Sequence, residues 1–196
     1  MKRLVTCLIV LSAAPAFSQG FEAAFLGGYT TPGGIDHSAL GITDLKLKGS
    51  FTWGAGAGYF FSHRFGTEAS WARQESALRI ANAQGSADLF DVHVDQVQGS
   101  FVYQFGDEKA HMRPFATAGV GAAFFSAPGL ESETKLSFGL GAGLKWLPTP
   151  RLGARLQARY TPTHLNDASS DFCDPFGFCQ GWLQQFEMTA GLVLRF

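Results

Sequence analysis

The 196-residue sequence has few charged side chains, only 3 cysteines and no long apolar run beyond its first residues. No later segment approaches the roughly 18 consecutive apolar residues of a membrane-spanning helix, which excludes transmembrane helices. A sustained helical period is nearly missing as well. What the chain has instead is 24 glycines, 19 phenylalanines and a charged fraction of 16%. This composition is unusual for a soluble enzyme.

The N-terminus has the pattern of a secretory signal peptide. The basic residues Lys2 and Arg3 precede a short apolar run, and small residues follow it as far as Ser18. A membrane anchor is the alternative, but the run is too short to cross a bilayer comfortably. We therefore expect residues 1–18 to be a signal peptide and residues 19–196 to form a single exported domain.

The charge balance of the exported part is slightly acidic. Removal of Lys2 and Arg3 from the 15 basic residues leaves 13, against 16 acidic residues. Because no strong positive field remains, we expect no nucleic-acid partner.

Two cysteines remain in the exported part, Cys173 and Cys179. An even pair in an exported protein predicts a disulfide, because the periplasm is oxidising. The ring that it closes is small, so it would be a local staple that stabilises by roughly 2 kcal/mol at most. A metal site with His164, Asp171 or Asp174 is the alternative, but two cysteines alone specify no zinc geometry.

The main structural signal is strict alternation of apolar residues with glycine or polar residues, which predicts β-strands. In residues 138–146 every even position is apolar, while glycines and Lys145 occupy the odd positions. Eight segments follow this pattern, each with about the length that a tilted membrane-spanning strand needs. They are 21–29, 50–61, 65–73, 90–105, 115–125, 138–146, 152–160 and 185–196.

Only a closed sheet satisfies every backbone hydrogen bond in lipid. We therefore predict an all-β fold, an eight-stranded antiparallel up-and-down transmembrane β-barrel, whose even strand count is typical of bacterial outer-membrane barrels. A soluble lipocalin-like barrel or β-sandwich is the alternative, but its outward face would carry charge rather than glycine. The fourth segment changes phase, which predicts a β-bulge near Asp95 or Gln96.

The connections alternate in length, which predicts the orientation of the barrel. The short ones, expected on the periplasmic side with both termini, are 62–64, 106–112 and 148–150. The long ones, expected outside, are 31–48, 74–88, 127–135 and 161–181. Aromatic residues fall at both ends of the strands, as the two bilayer interfaces favour.

Four stretches of the chain, RPFATAGVG, FGLGAG, LQARY and the closing GLVLRF, resemble a known family. They are similar to the eight-stranded outer-membrane β-barrel domain typified by the opacity proteins and by the N-terminal domain of outer-membrane protein A. The resemblance implies a place in the cell outer membrane, contact with its lipid and lipopolysaccharide, and a monomer. It also implies that Leu192, Leu194 and Phe196 form a signal for the barrel-assembly machinery. Such motifs specify architecture rather than function.

Seven charged residues have the strand phase that points into the barrel, where an unpaired charge is costly. They are Glu22, Glu68, Lys145, Arg155, Arg159, Glu187 and Arg195. We expect a structural network, because an eight-stranded barrel has room for side chains but not for an open channel. A gated ion pathway through the same charges is the alternative.

No catalytic, cofactor-binding or metal-binding motif is convincing, so we expect a non-enzymatic protein without a cofactor. Its role would be structural in the membrane, or its specificity would lie in four outer loops that serve adhesion or another surface interaction with an extracellular ligand. A small-solute pore is the second hypothesis. A lipid A deacylase built on His164 is the third, but Asn166 stands where such enzymes have a serine, and Ser169 or Ser170 would have to replace it.

Overall fold

The computed structural model describes residues 20–32, 45–47, 49–82, 85–107, 110–126, 132–166 and 180–196. These ranges contain nine β-strands, named here in chain order. They are β1 (Phe21–Pro32), β2 (Leu45–Leu47), β3 (Ser50–Phe60), β4 (Phe65–Asn82), β5 (Gly85–Gln104), β6 (Met112–Ser126), β7 (Glu133–Trp146), β8 (Leu152–Asn166) and β9 (Gln180–Arg195). The predicted signal peptide, residues 1–18, lies outside the described residues.

The eight long strands close into an antiparallel barrel, which confirms the predicted fold class. Each long strand pairs with the next one along the chain, and β1 pairs with β9 to complete the ring. The short strand β2 is an addition that pairs with residues 78–80 of β4. Within the described ranges, no helix is long and apolar enough to cross a membrane.

The barrel wall is apolar on the outside and mostly polar on the inside. Along β7, Phe138 and Leu140 point outward and are exposed, whereas Ser137 and Lys145 point inward and are fully buried. Large apolar side chains are exposed on every long strand, where a soluble protein would carry charge. This distribution is that of a wall that faces lipid, and it contradicts the soluble alternative.

The strands continue further than the alternation predicts at the end opposite the short connections. β4 and β5 stay paired as far as Asn82 and Gly85, so the predicted long loop at 74–88 is wrong. The chain forms a projecting β-hairpin there instead. A hairpin that extends beyond the lipid needs no apolar face, and for this reason alternation does not mark it.

The predicted β-bulge near Asp95 or Gln96 is also wrong. Both residues pair with β4 without interruption, and the register shifts beyond Leu78 instead. The prediction rested on the apolar residues Phe90, Val92 and Val94 having the opposite phase to Val97 and Phe101. Val94 in fact lies inside the barrel and is fully buried, so the strand needs no change of phase at that point.

The two ends of the barrel differ in their connections. The end that we name the turn end has the connections 61–64, 105–111 and 147–151. The opposite end, which we name the loop end, has the projecting hairpin. Aromatic rings at the turn end are in contact, with centroids 4.7 to 6.5 Å apart, and they belong to Phe61, Phe65, Tyr103 and Phe105. At the loop end, Trp53 and Trp71 meet edge to face at 4.9 Å.

The ladder between β7 and β8 is interrupted near Pro162. Pairing is continuous up to Leu140 and Tyr160, is missing at the next two positions and resumes at Ser137 and Thr163. Proline has no N–H group to donate, so it breaks the ladder on one of its sides. On the other side, the pairing of β8 with β9 passes Pro162 without a break.

Candidate functional site: the lumen plug

Two ion pairs cross the lumen near the turn end. Arg155 on β8 donates to both carboxylate oxygens of Glu68 on the opposite wall, at 2.5 and 3.1 Å. Lys145 on β7 donates to Glu22 on β1, and the Arg195 Nε atom lies 3.1 Å from the same carboxylate. The forked geometry of an arginine on a carboxylate is strong and directional, so the first pair braces opposite walls.

An apolar cluster closes the lumen at the level of these ion pairs. Phe60, Val102 and Phe115 pack together and are buried. The Lys145 Nζ atom lies 4.4 Å from the centroid of the Phe60 ring, and the Arg155 Cζ atom lies 4.6 Å from that of Phe115. Cations over aromatic faces attract the rings, most strongly where water is excluded. We call the following set of residues the lumen plug: Glu22, Phe60, Glu68, Val102, Phe115, Lys145 and Arg155.

The apolar part of the plug is not evident from the sequence pattern. Phe60 lies between Tyr59 and Phe61, which both point outward, so three consecutive aromatic residues hide the phase of the strand. Phe115 and Arg113 share the inward phase of β6 and are both buried. Because a charged side chain such as Arg113 is expected to point away from lipid, it could have shown that odd positions of β6 face the lumen. Phe115, two positions later, would then have been predicted inside.

Glycines in β7 make room for the luminal side chains. A Cβ atom at Gly143 would lie 2.5 Å from the Phe115 ring, and one at Gly139 would lie 2.6 Å from the side-chain oxygen of Gln98. Any larger residue would displace these side chains. These glycines therefore face a lumen that is filled with side chains up to the wall.

Three glutamine side chains bridge the lumen nearer the loop end. Gln96 on β5 donates to Gln185 on β9 at 2.7 Å, and Gln185 donates to Gln74 on β4 at 3.1 Å. All three are buried. We name them the amide bridge, and they form a second layer of side chains across the lumen.

Arg159 and Glu187 lie between the plug and the amide bridge. They are register partners on β8 and β9, and both are buried. Arg159 donates to Gln98 at 3.4 Å. Gln157 is also buried in this part of the lumen, and its side-chain amide has no hydrogen-bond partner among the described residues. The middle of the lumen is therefore polar, with the plug on one side and the amide bridge on the other.

The other candidate residues lie apart from the plug. His164 is on β8 rather than in a loop, and its ring packs edge to face on Trp182 at 4.8 Å. Ser169, Cys173 and Cys179 lie outside the described residues, so the disulfide stays a prediction. In the part of the chain that the structure describes, no cluster of histidine, cysteine or acidic residues could hold a metal ion.

The residues proposed as an assembly signal lie on the outer face of β9. Leu192, Leu194 and Phe196 are exposed along one line of the wall. The ring of Phe196 lies 5.9 Å from that of Phe21 on β1, at the turn end. The three side chains can therefore be reached from outside the closed barrel.

Comparisons with known proteins agree with this architecture. A family model described as outer membrane protein beta-barrel domain matches residues 4–196. The crystal structure of Neisserial surface protein A is 16% identical, covers 91% of this chain and 98% of its own, and gives a TM-score of 0.65. The outer membrane protein OprG from Pseudomonas aeruginosa is 13% identical, with coverages of 90% and 96% and a TM-score of 0.60. A search of curated proteins found no match. At these identities the solved structures show the fold alone.

Proposed function

Because the chain belongs to the outer membrane protein beta-barrel domain family, we propose that it is a non-enzymatic outer-membrane protein that acts through its loop end. The proposed role is adhesion or another surface interaction with an extracellular ligand. Its other partners would be outer-membrane lipid, lipopolysaccharide and, during insertion, the barrel-assembly machinery, with a monomer as the working form.

The observation that supports this proposal is the lumen-crossing contact of Arg155 with Glu68. It joins opposite walls through two hydrogen bonds, at 2.5 and 3.1 Å, between side chains that are almost fully buried. A solute could pass only if this buried ion pair came apart, which is strongly unfavourable. Because the lumen is blocked and the wall faces lipid, only the two ends of the barrel are accessible to a ligand in water.

The projecting hairpin gives the loop end a large surface. β4 continues from Trp71 to Asn82, and β5 stays paired with it over this whole length. At about 3.3 Å per residue and a tilt of about 45°, the hairpin reaches roughly 25 Å beyond the tryptophans. Surface segments of this kind are where binding residues concentrate on a rigid scaffold.

A deletion strain tests the proposal when adhesion, permeability and lipid A composition are measured together. We expect adhesion to fall and the other two readouts to stay unchanged. Complementation with a chain in which residues 77–91 are replaced by an Asn-Gly turn should restore the folded barrel but not adhesion, because that dipeptide favours a tight hairpin turn.

The same experiment separates the competing functions. A change in permeability would favour the pore, and an acyl chain of lipid A that is lost only when the protein is present would favour a deacylase built on His164. Either result, with adhesion unchanged, would contradict the surface role. Full adhesion by the shortened chain would exclude the hairpin as the binding surface.

A small pore is the second candidate, and the polar middle of the lumen favours it. Gln157 and Arg159 are the kind of residue that lines a hydrated path. A pore requires the lumen plug to open, whereas a surface role does not. Conductance measurements on the whole protein distinguish the two functions.

A further inference from the structure

A groove of about 390 Å³ lies on the lipid-facing wall across β3, β4 and β5, towards the turn end. Its floor is a row of small outward residues that are register partners, Ala57, Ala69 and Gly99. Larger side chains border it on the side of the turn end, and they are Phe21, Tyr59, Thr67 and Phe101. The groove is open to the membrane, and its lining also includes Glu68 of the lumen plug, whose side chain is buried on the other face of β4.

The floor of the groove has open space beside Gly99. A Cβ atom placed on Gly99 would meet no atom within 4 Å, so the space beside it is open. Many other outward positions hold Phe, Leu, Trp or Met side chains, although Ala118, Ala142 and Ala190 are also small and exposed. The groove is thus a place where a long, thin apolar group can contact the backbone of three strands.

The position and charge of the nearest turn indicate what occupies the groove. The turn between β3 and β4, directly below the groove, exposes His63 and Arg64. Its backbone is fixed, since the Gln104 N–H group donates to the Arg64 carbonyl at 2.7 Å and the Arg64 N–H group donates to the Ser62 hydroxyl at 3.3 Å. A cation at the membrane surface attracts anionic lipid headgroups.

From this combination we propose that the wall carries a specific site for one glycerophospholipid of the periplasmic leaflet. One acyl chain lies in the groove over Ala57, Ala69 and Gly99, and the phosphate binds Arg64. The leaflet follows from the orientation of such barrels, in which short turns face the periplasm. A second copy of the chain is a poorer occupant, because two convex barrel walls touch along a line and leave a concave groove unfilled.

Native mass spectrometry of the full-length protein, released from nanodiscs of mixed phosphatidylethanolamine and phosphatidylglycerol, tests the site. We expect the wild-type chain to retain a single phospholipid. Gly99→Leu fills the groove and should weaken retention roughly tenfold, the equivalent of about ten lost atom contacts. Arg64→Gln should weaken it about fivefold through the headgroup alone.

Matched variants keep the test independent of folding. Ala142→Leu adds the same side chain to an exposed position on β7, on the other side of the barrel, and should retain lipid like the wild type. Ala69→Leu is a second way to fill the groove if Gly99→Leu folds poorly. Retention that is unchanged in both groove variants, a wild-type chain that emerges bare, or a dimer that Gly99→Leu abolishes would each overturn the proposal.

Discussion

Glu68 and Arg155 neutralise each other in a lumen that admits little water. Each is nearly fully buried, and their contact is a forked pair of hydrogen bonds. A buried charge that loses its partner is far more costly than a missing ion pair at a surface. The plug therefore depends on the presence of both residues rather than on either one.

Glu68→Gln should lower the free energy of unfolding by about 3 kcal/mol, because it leaves Arg155 buried without a counterion. The double variant Glu68→Gln with Arg155→Met should recover most of this loss, since no charge is then left unpaired. Urea unfolding in lipid vesicles measures both effects.

The control is a second arginine–carboxylate pair, at the outer wall. Arg73 and Asp95 are paired at 2.8 Å but their side chains are 42% and 21% exposed. Asp95→Asn should therefore cost no more than about 1 kcal/mol. Equal losses at Glu68 and Asp95 would show that the plug pair is not energetically special.

Alternation alone indicated that residues such as Lys145 and Arg155 point inward, because the phase of a strand is read from its neighbours two positions away. It could not indicate which charges meet. Arg155 contacts Glu68 four strands away, and that depends on the stagger of the closed barrel rather than on the pattern of any one strand. For the same reason, nothing in the sequence joined Gln74, Gln96 and Gln185 into an amide bridge.

Among the elements, β8 has a seam on its β7 side, where the pairing of the two strands is interrupted. Thr161 and Pro162 lack pairing with β7, whereas both are paired with β9. Amides on the β7 side of this seam have few hydrogen bonds to hold them closed, so their exchange with solvent or detergent water is expected to be fast.

Pro162→Val should restore an N–H group at this seam and stabilise the barrel by about 1 kcal/mol, the net contribution of one hydrogen bond. Amide exchange followed by NMR should slow at Phe138 and Gly139. Tyr160→Val, on the same face and still paired, is the control and should leave exchange at those two amides unchanged. Exchange that is already slow in the wild type would contradict the idea of a weak seam.

The length of the strands was harder to predict than their number. Segments inside the lipid must hide an apolar face, and for them the sequence pattern is clear. The hairpin of β4 and β5 extends beyond that requirement, so residues 74–88 read as a loop. Apolar alternation is required only where a strand faces lipid, so the pattern stops where the strands leave the membrane.

As a whole molecule, the barrel is braced rather than hollow. The lumen plug and the amide bridge are two separate layers across it, and together their side chains come from all eight long strands. We therefore expect the plug to block solutes at one side of the polar part of the lumen and the amide bridge to block them at the other.

Purified wild-type protein in planar bilayers should show no unitary conductance, whereas Lys145→Ala combined with Arg155→Ala should produce openings because both lumen-crossing cations are removed. Ala142→Leu on the outer wall is the control and should behave like the wild type. Reproducible wild-type conductance that Arg155→Ala abolishes would show instead that the charges form a working ion pathway.

The ion pairs of the plug also bear on how the chain becomes a barrel. Glu22 and Lys145 are 123 positions apart, and Glu68 and Arg155 are 87 apart. Contacts of such long range form late. Glu22, on the first strand, meets its counterions only when β7 and β9 have been added, so an unfinished barrel keeps a bare carboxylate in its interior. Neutralisation of Glu22 therefore depends on strands from the far end of the chain, and we expect a chain that stops short of both β7 and β9 to keep this inward carboxylate without a counterion.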